Sequence, residues 1–81
     1  MTIEEIIEKS TVLLAEEFEI EASDIVPEAS LKDTLGLDSL DIVDVVVLVD
    51  KHFGVTLKGP DFVGVVTFKD FYELLNRKIN G

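Results

Sequence analysis

The chain has 81 residues, 47% of them apolar, with 17 acids against 7 bases and a net charge of −10. That length suits a single domain over residues 1–81 with a small core, burying roughly 60% of its unfolded surface, and the apolar content is too high for a disordered acidic chain. The charge argues against nucleic acid and for partners with basic patches, while the lack of cysteine excludes a disulfide framework, a thiolate metal site and a catalytic thiol.

Thr2-Ile3-Glu4-Glu5 reads as a capping box, with Thr2 as the cap and Glu5 reaching back. Ile3, Ile6, Ile7, Leu13, Leu14 and Phe18 then recur at helical spacing, so a first helix is expected over about residues 3–18. Its acids, Glu4, Glu5, Glu8, Glu16 and Glu17, form a solvated outer face. Residues 19–36 make a long connection broken at Asp24, Pro27 and Gly36. A link of that length is uncommon in a small domain unless it is packed down or functional. Ile20, Ile25, Val26, Leu31 and Leu35 are expected to pin it across the bundle, with a short helical turn near residues 30–35.

A second helix is expected over about residues 39–53, although Val45-Val46-Val47-Leu48-Val49 is β-branched and also reads as a buried strand. Asp38 and Asp41 supply a helix-start signature. Asp41, Asp44, Lys51 and His52 fall in one arc at helical spacing, where a strand would scatter them over both faces. Ile42, Val45, Val46, Val49 and Phe53 form one apolar arc, assigned to the core. Leu40, Val43 and Val47 form another, either covered by neighbouring segments or left exposed for docking. Residues 61–66 are expected to form a short third helix with Phe62, Val65 and Val66 inward, weakened by Gly64. Thr67, with Asp70 three residues on, starts the last helix. Phe68, Phe71, Tyr72, Leu74, Leu75 and Ile79 give its apolar face, and Arg77 and Lys78 suit its C-terminal end. The expected architecture is all-α: an antiparallel four-helix bundle of three main helices and one short crossing helix, with a long loop between helices one and two. No run is long enough to span a bilayer, and acids from Glu4 onward leave no signal-peptide pattern, so a cytoplasmic protein without a membrane partner is expected.

The second helix begins at Gly36-Leu37-Asp38-Ser39-Leu40-Asp41. Asp38 fills the cap role, which leaves Ser39 in a first turn whose free N–H groups and dipole favour an anion. As a nucleophile Ser39 would need a base beside it. The one histidine, His52, lies thirteen residues along the same helix, about 20 Å away. Asp38, Asp41 and Asp44 lack the spacing of a calcium loop. No catalytic residue and no metal site is expected, and Asp38-Ser39-Leu40 alone reads as a plain helix start.

Leu35-Gly36-Leu37-Asp38-Ser39-Leu40-Asp41-x-Val43-Asp44 resembles the loop-to-second-helix passage of acyl carrier proteins. Phe53-Gly54-Val55 is similar to that family's helix exit, and Thr67-Phe68-x-Asp70-Phe71 to the start of its last helix. The resemblance implies a carrier and not an enzyme. A phosphopantetheinyl transferase would move a 4′-phosphopantetheine arm from coenzyme A onto Ser39, with Asp38 beside it, and the arm's thiol would hold acyl groups as thioesters. Partners implied are acyl transferases, ketosynthases or acyl-activating enzymes of fatty-acid, polyketide or related synthesis. Their basic patches would meet Asp38, Asp41, Asp44 and Asp50 while Leu40, Val43 and Val47 make the apolar contact, with the carrier itself a monomer. Val46, Val49, Phe62 and Val65 are core positions that such a carrier could use to shelter an acyl chain. Two departures stand out. Lys51 and His52 lie where the family's second helix is commonly acidic, and Lys58 to Val66 keeps only Asp61 as an acid, which hints at a specialised pathway. The alternatives are a peptidyl or aminoacyl carrier, and a small acidic interaction module without a prosthetic group.

Overall fold

The computed structural model describes residues 1–38 and 40–81. Helix α1 spans Ile3–Glu17, a short α2 spans Leu31–Leu35, α3 spans Asp41–Phe53 and α4 spans Phe68–Asn80. Single 3-10 turns occupy Ala22–Asp24 and Gly59–Phe62, and no strand is formed among the described residues. The all-α architecture agrees with the sequence reading.

The main helices start where the sequence signals them. In α1 the Thr2 hydroxyl accepts from the Glu5 amide at 3.2 Å, and the Glu5 carboxylate accepts from the Thr2 amide at 2.9 Å. The exit of α1 is a six-to-one turn in which Ile20 N–H reaches the Ala15 carbonyl. Glu19 is left there in the left-handed region at φ 55°, a position that favours glycine. In α4, Thr67 accepts from the Asp70 amide at 3.3 Å, while Asp70 accepts from the Val66 and Thr67 amides at 3.1 and 3.2 Å. Those amides hold the Asp70 carboxyl below its usual range.

The core gathers Ile6 and Leu14 of α1, Leu31 and Leu35 of α2, Val45 and Val49 of α3, and Phe68, Phe71, Tyr72, Leu74 and Leu75 of α4. Helix α4 is the axis of this packing, supplying five buried side chains. Its Tyr72 hydroxyl lies 3.2 Å from Thr11 Oγ1 of α1, and burial pushes the phenol pKa up. Lys9 ties α1 to the far end of α3: its Nζ donates to the His52 carbonyl at 2.7 Å and sits 5.0 Å from the centroid of the Phe53 ring.

The long connection is packed down, as its apolar residues predict. Ile25, Leu31 and Leu35 are buried and Ile20 is half-buried. Backbone bonds fasten it to the entry of α4: Leu31 N–H to the Val66 carbonyl at 2.9 Å, Phe68 N–H to Ala29 at 3.2 Å, and Lys69 N–H to Pro27 at 3.0 Å. Val26, expected to pin the loop, instead points outward.

The largest correction falls on residues 61–66. Among the described residues the one short α-helix is α2, inside the connection, and the expected third helix is only the 3-10 turn Gly59–Phe62. Pro60 sits within that turn and removes an N–H, and Gly64 at φ 85° reverses the chain before a second turn can form. Phe62 and Val65 do pack against the core, but Val66 is exposed.

Candidate functional site

Four consecutive features build the mouth of α3. Leu35 anchors the end of α2 in the core, Gly36 turns the chain at φ 68°, Leu37 is half-buried against the core, and Asp38 emerges into solvent. Asp38 Oδ1 accepts from the Leu40 amide at 2.9 Å and the Asp41 amide at 3.1 Å. Asp41 Oδ2 accepts in return from the Asp38 amide at 3.2 Å. Leu40 already has helical torsions (φ −81°, ψ −33°), so the capping function lies at Asp38, one residue before Ser39. Ser39, the expected attachment residue, lies outside the described residues.

The rest of the expected site is laid out by one helical period. Val45 and Val49 are buried, and their opposites are exposed: Leu40 by 77%, Val43 by 59% and Val47 by 60%. Asp44 and Asp50 are exposed beside them. Of the six expected docking residues, five stand on this open side. Asp41 differs, because the residue is half-buried and its Oδ2 accepts from the Asp38 amide. The signal for that role was present as Asp-x-x-Asp, the same spacing as the boxes that open α1 and α4.

Asp38 and Leu40, which flank position 39, are both exposed, and a side chain built at Gly36 would meet nothing within 4 Å. The first turn of α3 carries Asp41 and Asp44, and basic residues, Lys51 and His52, come only in its last turn. His52 is eleven residues beyond Asp41, about 16 Å along the axis, too far to act as a base at the mouth. Among the described residues no group of three or more His, Asp or Glu side chains is placed to hold a metal ion. Between α1, α3 and α4, Ser10, Leu13, Leu14, Leu48, Val49, Phe53 and Phe71 line a partly open crevice of about 10 Å³, room for about one water.

Residues 11–75 match a family model described as the phosphopantetheine attachment site. An acyl carrier protein of Thermosynechococcus vestitus is 30% identical over 79 residues, 98% of each chain. One of Thermotoga maritima is 34% identical over 76 residues, 94% of each chain. One of Petrotoga mobilis is 29% identical over 80 residues, 99% of this chain and 94% of its own.

Proposed function

Because this chain belongs to the acyl carrier proteins of the phosphopantetheine-attachment family, we propose that it is a free-standing carrier loaded at Ser39. It is a carrier and not an enzyme, and 4′-phosphopantetheine is its covalently attached group. When bound, that arm supplies the thiol the cysteine-free chain lacks, so that an acyl group can be held as a thioester.

The chain's own residues present the attachment hydroxyl, keep the helix mouth open and meet partners. The observation that carries this reading is the reciprocal Asp38–Asp41 cap at an exposed helix start. It satisfies the amides of Asp38, Leu40 and Asp41 that would otherwise let the helix start fray, and the start of a helix favours an anion. A phosphodiester there is favoured by the dipole and opposed by nearby carboxylates, and salt weakens both effects.

Leu40, Val43 and Val47, bordered by Asp44 and Asp50, form the surface that meets a transferase and then acyl transferases, ketosynthases or acyl-activating enzymes with basic patches. Docking through α3 is supported by the state of the 59–66 segment. Its one acid, Asp61, is engaged by the Lys58 amide at 2.9 Å and by Lys78 at 3.3 Å. Contacts of this type are weak and salt-sensitive, which suits a protein that must leave each partner quickly.

The test is intact-mass spectrometry after incubation with coenzyme A and a broad phosphopantetheinyl transferase. The wild-type chain should gain one phosphopantetheine and Ser39→Ala none. A folded wild-type chain that gains nothing contradicts the proposal.

A further inference from the structure

The exposed ridge of α3 does not end at Val47. At 100° per residue, Lys51 falls between Val47 and Asp44 around the helix and within about 20° of Leu40. It is exposed and lies in the last turn. The one ion pair among the described residues joins Lys78 to Asp61, so no carboxylate there neutralises Lys51. His52 beside it is half-buried, its carbonyl taken by Lys9. Asp50 stands on the flank, about 100° round the helix from Lys51. Along the ridge, Asp38 and Asp44 are at the mouth and Val43 and Val47 in the middle, and the exposed base Lys51 follows about 10 Å beyond Asp44 along the axis, with Asp50 at its flank.

We propose that Lys51 is a selectivity residue of the docking face, an inference that rests on the carrier reading above. The partner that fits is basic beside the entry for the arm and carries a carboxylate about 10 Å further along its groove, opposite Lys51. A partner whose basic patch runs the whole length of the helix meets like charge there and is disfavoured, so the lysine rejects as well as attracts. The plainer role for a lysine in a last turn is to complement the helix dipole. That role changes stability and leaves encounter with partners alone, so the two can be separated.

The experiment uses the apo chain, coenzyme A and a phosphopantetheinyl transferase whose docking groove is basic throughout. It compares kcat/KM for wild type, Lys51→Gln and Lys51→Glu below their melting temperatures. The expected order is wild type slowest, Lys51→Gln about threefold faster and Lys51→Glu up to about tenfold faster at low salt, with the spread closing as salt rises. Reversing the transferase's basic residue opposite position 51 to Glu should invert that order. Rates independent of residue 51, with only a lower melting temperature for Lys51→Glu, overturn the proposal, as does a wild type that is fastest on the unmodified transferase. Asp44→Lys separates the failures. If it slows transfer while the Lys51 series stays flat, the lysine alone was misread. If wild type gains no phosphopantetheine, the carrier reading has failed.

Discussion

Helices α3 and α4 open with the same chemistry and put it to opposite uses. Each has a side-chain oxygen accepting from an amide three residues on, and each has an aspartate returning the bond: Asp38 with Asp41, and Thr67 with Asp70. At α4 the capped start is clamped by the connection through the Ala29, Pro27 and Val66 carbonyls, and the first helical residue, Phe68, is fully buried. At α3 the first apolar residue described after the cap, Leu40, stands two places beyond Asp38 and is 77% exposed. A cap satisfies the local backbone in both places; only the tertiary bonds around it decide whether the helix mouth is a core element or a free surface.

That contrast is tested most severely at the two leading apolar residues. Phe68→Ala should cost about 3–5 kcal/mol, much of the stability of a domain this size, measured by urea unfolding. Leu40→Ala should change stability by less than about 0.5 kcal/mol, while lowering kcat/KM with a partner enzyme. A large loss of stability from Leu40→Ala would erase the distinction. The caps come next: Thr67→Ala should cost about 1–2 kcal/mol and Asp38→Ala about 1 kcal/mol, and only Asp38→Ala should also slow loading of the arm.

Acid sharpens the comparison from the α4 side. Backbone amides hold the carboxyls of Asp70, Asp61 and Glu5 below their ordinary values of 3.8, 3.8 and 4.5. A folded pKa that is depressed contributes stability fully present above the unfolded value and lost as pH falls through the folded one. Melting temperature should therefore hold from pH 7 to about 5 and fall below about pH 4. Asp70→Ala should lower the plateau and shallow that fall, and an unchanged acid limb would count against the cap. The smallest effect belongs to the exit of α1, where Glu19→Gly should gain about 0.5–1 kcal/mol by relieving a left-handed side-chain residue.

The helix starts were legible because capping boxes are local: Thr2 with Glu5, and Thr67 with Asp70, are visible as spacings. The helical state of the valine-rich run was legible from where its polar residues fall, and the structure places Val45 and Val49 in the core one turn apart. The segment after Lys58 was misread because an apolar period does not show that Pro60 and Gly64 stop the coil. The outward turn of Val26 and Val66 was hidden for another reason. Both lie where backbone bonds between the connection and the entry of α4 set the chain direction, and such non-local bonds leave no mark in spacing. At the site, the exposed arc of Leu40, Val43 and Val47 could be drawn but not assigned to solvent or cover. Asp41, a docking acid by resemblance, also accepts from the Asp38 amide within the cap.

The central claim is tested most directly by locating the arm. Digestion after Lys32 and Lys51 releases residues 33–51, a peptide in which Ser39 is the one serine. After loading from coenzyme A, that peptide should carry the phosphopantetheine mass on Ser39, and Ser39→Ala should lose it. The added mass on any other peptide, or on Thr34 of the same one, would contradict the account.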